Sequence, residues 1–398
     1  MTGTRKRFRI LLIVGTRPDA LKMYPVYRGL KEKDFDVVLL STTQHSELLS
    51  QVFDELGFAP DISLNVMEED QKLPRLTGRL ADKLDEAIRE SAPDLVLVQG
   101  DTTSSMVGAL VSYYHRIPVN HIEAGLRTGD PYQPFPEEIN RKVISQIADF
   151  HFTPTPRALG NLLAEGVGRD RVLVTGNTAI DTLLEILSRK PEFRNKRLKE
   201  VLETDAVVIA VTAHRRESFG EPLEELLEAM IGLARELKGT RIVYPVHPNP
   251  SVHGPVTRAL SGRQGIELVD PLGYGDLVRL LDRSRIILTD SGGIQEEAPS
   301  LGKPVLVLRE KTERQESIDA GIARLVGMNR QAIVETVFDL LRDEERYQAM
   351  VPRGNPYGDG KAAGRIVQSI RCRYLGSGTQ PEEFHPPCLW ADEVCHAG

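Results

Sequence analysis

Cysteine is scarce in this sequence and lies only near its end. The three cysteines, Cys372, Cys388 and Cys395, all follow residue 371 of a 398-residue chain. The main part of the chain therefore has no disulfide framework, a cysteine usage that predicts a reducing cytoplasmic location. His385 and His396 lie near two of these cysteines, but the spacing matches no zinc pattern. We expect no metal site.

Long apolar runs and an excess of positive charge are also missing. No apolar run approaches the roughly 18 residues that a membrane helix needs. Fifty lysines and arginines against 57 acidic residues give a net charge of −7, whereas a bulk nucleic-acid binder normally carries a basic excess. A basic N-terminus precedes the apolar residues 10–14, but a signal peptide needs about 7–15 apolar residues. We expect a buried first strand there, and neither a membrane nor a nucleic-acid partner.

Two well-known nucleotide motifs are absent. The sequence contains no G-x-G-x-x-G and no G-x-x-x-x-G-K-[ST], the signatures of dinucleotide-binding folds and of P-loops. A nicotinamide-dependent dehydrogenase or an ATPase is therefore disfavoured.

The chain does contain a regular alternation of short apolar runs and amphipathic stretches. Near-continuous apolar strands bounded by helices are typical of parallel sheets covered on both faces. The pattern predicts two such α/β domains, because it runs through the first half, stops at a polar stretch and then resumes. The predicted strands are 8–14, 36–41, 94–99, 118–122, 150–153, 171–175, 206–212, 241–246, 266–269, 285–289 and 304–308.

The polar stretch gives the predicted domain boundaries. Residues 188–203 are the best candidate for a hinge, since linkers between domains are usually polar and exposed. We predict an N-terminal Rossmann-like domain at 1–187 and a second Rossmann-like domain at 188–360. A helix at 361–376 would pack back on the first domain, and the Pro-rich tail 377–398 is predicted to be disordered.

Charged residues follow several strands of the first half. In open α/β sheets ligands bind at the carboxyl ends of the strands. Arg17 and Lys22 follow the first strand near the start of a helix, where the helix dipole favours a bound anion. We therefore favour an anion-binding site there over the alternative, an ordinary strand–helix turn with surface cations. Asp101 and Glu123 follow two later strands. Asp101 alone would make a good helix cap, but two carboxylates in one crevice can serve as an acid and a base.

A further acidic pair opens a predicted helix at 137–148. Glu137 and Glu138 suit its first turn, which favours negative charge. Glu137 and Arg141 are four residues apart, so a surface ion pair between them is the simpler interpretation of the spacing.

Cations and glycines follow the strands of the second half. His214 and Arg215 follow the strand at 206–212, and His247 follows the strand at 241–246. Residues 290–293 read Asp-Ser-Gly-Gly and open a helix, where glycines allow backbone N–H groups to approach a phosphate. Together with the carboxylates of the first half, these residues suit an acid–base reaction on a diphosphate-bearing substrate.

Eight motifs occur in order along the chain: GTRPDALK (15–22), QGDT (99–102), HIEAGLRTG (121–129), PEEINR (136–141), GNT (176–178), AHRRE (213–217), PVHPNP (245–250) and DSGGIQEE (290–297). Over about residues 8–370 the chain thereby closely resembles the non-hydrolysing UDP-N-acetylglucosamine 2-epimerases. The resemblance implies two Rossmann-like domains facing a cleft, as in the GT-B glycosyltransferases. It implies interconversion of UDP-GlcNAc and UDP-ManNAc without a cofactor, through elimination of UDP, a 2-acetamidoglucal and re-addition.

The resemblance also implies roles for individual residues. It makes Asp101, Glu123 and Glu137 the acid/base carboxylates, without showing which one removes the C2 proton, and His214 a ligand of the diphosphate or the leaving group. The implied substrate contacts are Arg17, Lys22, Arg141, Ser291, Gly292, Gly293, Glu297 and Arg314. Ser291 and the two glycines would cradle the diphosphate, and Glu297 would bind the ribose.

Two departures from the family pattern leave questions open. Asp19 stands where Glu is usual, which we expect to affect the charge at a helix start and not the chemistry. A second UDP-GlcNAc site that activates many bacterial members is matched by Gln44, His45, Gln71, Arg215 and His247. Ser46 replaces the usual Arg, so activation by substrate stays open.

The alternatives are an epimerase of a modified UDP-sugar, a hydrolysing variant, a GT-B glycosyltransferase and a non-catalytic UDP-sugar sensor. We expect a homodimer, since the family commonly forms one.

Overall fold

The computed structural model describes residues 7–33, 35–42, 47–66, 72–215 and 218–387, and it leaves out the side chains of residues 47 and 48. The chain divides into two compact units. The first unit is Met1–Thr182 with Tyr357–His385, and the second is Leu183–Pro356 with Pro386–Gly398. No helix of the described ranges is long and apolar enough to cross a membrane.

The first unit is a parallel sheet with helices on its faces. Its strands are β1 (Phe8–Val14), β2 (Phe35–Ser41), β3 (Ile62–Ser63), β4 (Leu95–Gln99), β5 (Val119–Ile122), β6 (Phe150–Thr153) and β7 (Val172–Val174). The helices of this half of the chain are α1 (Arg17–Lys31), α2 (Glu47–Leu56), α3 (Leu73–Ser91), α4 (Thr103–Tyr114), α5 (Glu137–Ile147), α6 (Pro156–Ala164) and α7 (Thr178–Arg189). The division between the two units falls within α7. The strand order is β3-β2-β1-β4-β5-β6-β7.

The second unit repeats this architecture. Its strands are β8 (Val207–Thr212), β9 (Thr240–Pro245), β10 (Ile266–Val269), β11 (Ile286–Thr289), β12 (Val305–Val307) and β13 (Ala323–Leu325). Its helices are α8 (Lys196–Leu202), α9 (Glu221–Glu236), α10 (Pro250–Leu260), α11 (Tyr274–Arg283), α12 (Gly292–Glu297), α13 (Gln315–Asp319), α14 (Arg330–Arg342) and α15 (Glu344–Ala349). The strand order is β10-β9-β8-β11-β12-β13.

Burial explains why the strands are apolar along their whole length. In β8, Ile209 and Val211 belong to one hydrophobic core, whereas Val208 and Ala210 belong to another. Successive side chains of a strand point to opposite faces, so both faces of this sheet are covered. The prediction of two Rossmann-like parallel-sheet domains is therefore confirmed.

The end of the chain returns to the first unit. Helix α16 (Ala362–Leu375) packs against α1, and the Asp181 carboxylate accepts hydrogen bonds from the backbone N–H groups of Ala362 and Ala363 at 3.2 and 2.9 Å. The Tyr374 hydroxyl donates to the side-chain oxygen of Asn120 at 2.9 Å. Residues from both ends of the chain thus build one unit.

The prediction of a disordered tail from residue 377 is wrong for residues 377–387. Phe384 is buried, and its backbone N–H donates to the Val174 carbonyl at 2.8 Å. Glu383 pairs with Arg169 at 2.6 Å. The buried aromatic ring, the ion pair and hydrogen bonds such as that from the Val174 backbone N–H to Glu383 at 3.2 Å hold this Pro-containing segment against the first unit, which composition alone does not reveal. Cys388 and Cys395 lie outside the described residues.

Two histidines lie side by side in the core of the first sheet. His121 of β5 faces His151 of β6, with ring centroids 6.4 Å apart and neither side chain exposed. His121 Nε2 donates to the Gly100 carbonyl at 2.7 Å, whereas neither ring nitrogen of His151 has a hydrogen-bond partner among the described residues. Burial lowers the pKa of His121 to about 4 and, with the nearby His121 and Arg171, that of His151 to about 3.

We expect these histidines to destabilise the fold in acid. Below pH 6.5 the unfolded histidines bind protons while the folded ones stay neutral, so the free energy of unfolding falls as the pH decreases toward 4. Each contributes up to about 1.4 kcal/mol per pH unit. Urea unfolding at several pH values should show that the free energy of unfolding of a His151→Phe variant depends less steeply on pH than that of the wild type. Replacing the exposed His253 by Phe is the control and should leave this dependence unchanged. An unchanged dependence in His151→Phe contradicts the assignment.

Candidate active site

Two candidate carboxylates of the first unit, Asp101 and Glu123, follow β4, which borders the point where the strand order reverses, and its neighbour β5. β1 pairs with β2 on one side and with β4 on the other, and β4 pairs with β5. Asp101 and Glu123 come just after β4 and β5. Such reversal points open a crevice at the carboxyl ends of the strands, where ligands of open α/β sheets bind. The fold therefore brings together the strand-end residues that the sequence predicted.

Glu123 has a backbone conformation that few residues other than glycine adopt. Its φ is 64°, in the left-handed region, and its side chain is 7% exposed. The carboxylate forms an ion pair with Lys22 and accepts hydrogen bonds from the side-chain amides of Gln99 and Asn177, the latter at 2.9 Å. Backbone strain at a buried charged residue is characteristic of functional sites.

Asp101 is held by two consecutive residues of α5. Arg141 Nη2 donates to its carboxylate at 2.5 Å, and the side-chain amide of Asn140 donates to its backbone carbonyl at 3.0 Å. The Arg141 side chain is 4% exposed and also donates to Glu138 at 3.2 Å. Arg141 is thus buried between Asp101 and Glu138, and it is not the exposed surface residue that its spacing from Glu137 suggested. Glu137 itself is the half-buried first residue of α5.

The segment between β1 and α1 is organised by a buried acid. Asp19 accepts hydrogen bonds from the backbone N–H groups of Gly15 and Thr16 at 3.0 and 3.1 Å and from the Thr102 hydroxyl at 3.3 Å. Burial raises its pKa to about 6 despite these bonds. Asp19 thus joins the start of α1, where Arg17 is the first residue, to the segment after Asp101.

In the second unit, Asp290 organises the ends of β8 and β11. Its carboxylate is fully buried and accepts from the backbone N–H groups of His214 and Arg215 at 2.8 and 2.9 Å and from the Ser218 hydroxyl at 3.0 Å. His214 Nδ1 lies 3.2 Å from the other oxygen. Burial opposes ionisation, but the hydrogen bonds from His214 and Arg215 outweigh it and hold the Asp290 pKa below its usual range.

His214 is presented at the surface by this arrangement. Its side chain is 44% exposed, and its ring stacks on that of His247 with centroids 5.8 Å apart. Burial and the neighbouring His214 lower the pKa of His247. Arg215 and His247, two of the predicted activator-site residues, therefore lie beside His214. Gln44, His45 and Gln71 lie outside the described residues, so the activator site stays a prediction.

The Ser291-Gly292-Gly293 segment leads from β11 into α12. The Ser291 backbone N–H donates to the Thr289 hydroxyl at 3.0 Å, and α12 begins at Gly292. A side chain at Gly292 would lie 2.9 Å from the Arg314 guanidinium, which explains the glycine.

Glu297, the last residue of α12, and Arg314 are both buried. Arg314 pairs with Glu296 at 2.9 Å and with Glu313. Burial opposes ionisation of Glu313, but Arg314 and Arg309 outweigh it and hold its pKa far below the usual range. Glu297 accepts a hydrogen bond from the Tyr274 hydroxyl at 3.0 Å. The Ser291-Gly292-Gly293 segment therefore lies next to buried charged side chains that are paired with one another.

Sequence reasoning missed several residues that hold the candidates in place. Gln99 and Asn177 lie inside recognised motifs, yet nothing in their spacing showed that they bind Glu123. Asp290 was noticed only as part of its motif, and Glu138 only as a first-turn acid. Among the described residues there is no group of three or more His, Cys, Asp or Glu side chains placed to hold a metal ion.

Known proteins share the sequence and the fold of this chain. A sequence model of the UDP-N-acetylglucosamine 2-epimerase family matches residues 28–371. A UDP-N-acetylglucosamine 2-epimerase of Escherichia coli K12 is 46% identical over 371 residues, which cover 91% of this chain and 98% of that protein.

Solved structures agree with this similarity. A UDP-GlcNAc 2-epimerase from Neisseria meningitidis, crystallised with UDP-GlcNAc, has a TM-score of 0.86 at 41% identity and covers 91% of this chain and 99% of that chain. A Staphylococcus aureus MnaA–UDP structure has a TM-score of 0.88 at 37% identity and covers 95% of this chain and 100% of that chain.

Proposed function

Because this chain belongs to the UDP-N-acetylglucosamine 2-epimerase family, we propose that it interconverts UDP-GlcNAc and UDP-ManNAc without releasing the sugar. The observation that carries the proposal is the pair of strand-end carboxylates, Asp101 and Glu123, held by Arg141 and Lys22 at the sheet reversal. Proton removal from carbon and its return need such an acid and base, fixed in place before the substrate arrives.

The proposed reaction has two balanced halves. A carboxylate takes the C2 proton, the C2–H electrons form the C1=C2 bond, and the C1–O electrons leave with UDP. UDP then adds back to C1 while a proton returns to the opposite face of C2. A C2 proton is weakly acidic, so the departing diphosphate must be stabilised as the bond breaks. In the proposal Asp101, Glu123 and Glu137 carry the protons, and which of them takes the first one stays open.

The second unit supplies the groups proposed to hold the nucleotide. His214 is exposed and oriented by the buried Asp290, so it is available to an anionic leaving group. The Ser291-Gly292-Gly293 segment cradles the diphosphate, and Glu297 binds the ribose. The other proposed substrate contacts are Arg17, Lys22, Arg141 and Arg314.

The resemblance also implies a homodimer, which light scattering would detect. The cysteine distribution favours a cytoplasmic location.

The proposal predicts solvent exchange at C2. Incubation with UDP-GlcNAc in D2O should place deuterium at C2 of both UDP-sugars, because the proton taken from carbon equilibrates with water. Proton NMR follows this exchange and identifies the products. Absence of exchange rejects the function if it is seen both at the standard UDP-GlcNAc concentration and after more UDP-GlcNAc is added to occupy any activator site.

Product analysis separates the remaining alternatives. Free ManNAc with UDP identifies a hydrolysing enzyme, and turnover only with an added acceptor identifies a glycosyltransferase. Exchange with another UDP-sugar in preference to UDP-GlcNAc identifies an epimerase of a modified sugar.

A further inference from the structure

Glu138 is a completely buried carboxylate that the proposed reaction does not use. Its side chain is 0% exposed, although it lies in the first turn of α5 directly after Glu137. An ionised carboxylate is rarely buried unless other groups compensate its charge. Here the compensation comes from Arg141, from two backbone N–H groups and from Lys142, whose Nζ lies 4.0 Å from Oε1.

We propose that Glu138 is a positioning residue that fixes Arg141 against Asp101 and ties α5 to the loop after Glu123. This inference rests on the proposed function, since it assigns Glu138 a part in the same acid–base site. Glu138 acts through Arg141 and the loop and does not touch the substrate.

The first link runs through Arg141. Glu138 Oε2 accepts from Arg141 Nη1 at 3.2 Å, while Arg141 Nη2 donates to Asp101 at 2.5 Å. One guanidinium therefore bridges two carboxylates with its two terminal nitrogens. The planar guanidinium has a fixed geometry, so holding one nitrogen restricts where the other can lie. Glu138 thereby sets the position of Asp101.

The second link runs through the loop that follows β5. Glu138 Oε2 accepts from the backbone N–H of Thr128 at 3.1 Å, and Oε1 accepts from that of Gly129 at 3.2 Å. This loop begins at Glu123. One carboxylate thus connects the segments that carry Asp101, Glu123 and Glu137, the three proposed acid/base residues.

An amide cannot replace this carboxylate. Both oxygens of Glu138 accept hydrogen bonds from N–H groups, so either orientation of a glutamine turns its –NH2 group toward another donor. The Glu138→Gln variant should therefore release the loop or Arg141. Small displacements of reacting groups lower rates steeply, and a shift of about 1 Å costs up to about 10²-fold.

The Glu138→Gln variant is expected to lower kcat for UDP-GlcNAc epimerisation by about tenfold or more, with KM within about threefold of the wild type. The matched control is Asp276→Asn. Asp276 is also a buried carboxylate in the first turn of a helix, and it accepts from the backbone N–H groups of Arg194 and Asn195 at 3.2 and 2.8 Å. Its replacement should leave kcat unchanged in folded protein.

A double variant separates positioning from a general structural effect. If Glu138 acts through Arg141 on Asp101, removing Asp101 first should abolish most of its influence on the rate. Asp101→Asn with Glu138→Gln should then be about as slow as Asp101→Asn alone. Multiplied losses in the double variant overturn the link through Arg141 to Asp101, and a normal kcat in Glu138→Gln overturns the whole proposal.

Circular dichroism and thermal unfolding check that each variant folds. Should Glu138→Gln fail to fold, Glu138→Asp keeps the charge but shortens the reach, and the same double-variant comparison with Asp101→Asn applies to it. A wild type that shows no C2 exchange removes the proposed function and this inference together. A wild type that exchanges normally beside an unaffected Glu138→Gln variant removes this inference alone.

Discussion

The Glu123→Gln variant is expected to exchange C2 deuterium about 10³-fold more slowly than the wild type, within the range lost with a general acid or base. A glutamine cannot carry the proton, and it leaves the Lys22 ammonium without the carboxylate that pairs with it. Its –NH2 group would also face the amide donors of Gln99 or Asn177. NMR wash-in of deuterium at saturating UDP-GlcNAc measures the loss.

The control for this prediction lies in the same sheet, but at the amino-terminal ends of its strands. Asp36 pairs with Arg9 at 2.6 Å near the amino-terminal ends of β2 and β1. Asp36→Asn also removes one charge from an ion pair, but far along the strands from Glu123, so exchange should proceed at the wild-type rate. A near-normal rate in Glu123→Gln would exclude Glu123 from the mechanism.

The Gly125→Ala variant is expected to lose about 3 kcal/mol or more of unfolding free energy. Gly125 has a φ of +87°, and an added Cβ would lie 2.2 Å from the backbone oxygen of Ala158. Ala158 lies in the first turn of α6, so the clash can be relieved only by moving a helix or the loop after Glu123. Urea unfolding followed by circular dichroism measures the loss.

Gly129 supplies the matched comparison for Gly125. Its φ is +81°, but an added Cβ would meet no atom within 4 Å. Gly129→Ala therefore isolates the backbone strain, which costs about 1–2 kcal/mol. Equal losses at the two positions would show that the contact with Ala158 is unimportant and that strain alone explains both.

The sheets could be predicted from sequence because their central strands are continuous apolar runs. The helices and strands that the sequence did not predict are either short or contain residues that disfavour their own secondary structure. β3 and β13 are edge strands of two and three residues, and α10 contains Gly254 and Pro255, which usually interrupt helices. Helix α8 lies within the predicted polar hinge, where its short apolar face, including the buried Leu198, is hidden among charged residues.

The candidate site was predictable only in part, for a related reason. A charged residue after an apolar strand is visible in sequence, so Asp101, Glu123 and His214 could be found. The hydrogen-bond partners of such a residue come from distant positions in the sequence. Asn177, for example, lies 54 residues from Glu123, the carboxylate to which it donates. Burial separates Glu138 from its neighbour Glu137, yet both look alike in the motif. Arg314 could be identified as a cation, but not as one already paired with two buried carboxylates.

The return of α16 to α1 affects the order in which the chain can fold during its synthesis. A ribosome makes residues 357–385 only after it has made residues 183–356, nearly all of the second unit. Domains generally fold as units while the chain emerges. The first unit starts earlier but cannot finish earlier, because the face of α1 that α16 covers stays open to solvent until the last helix emerges. In the nascent protein, the unit that carries the candidate carboxylates is thus completed only after residues 183–356 of the second unit have been made.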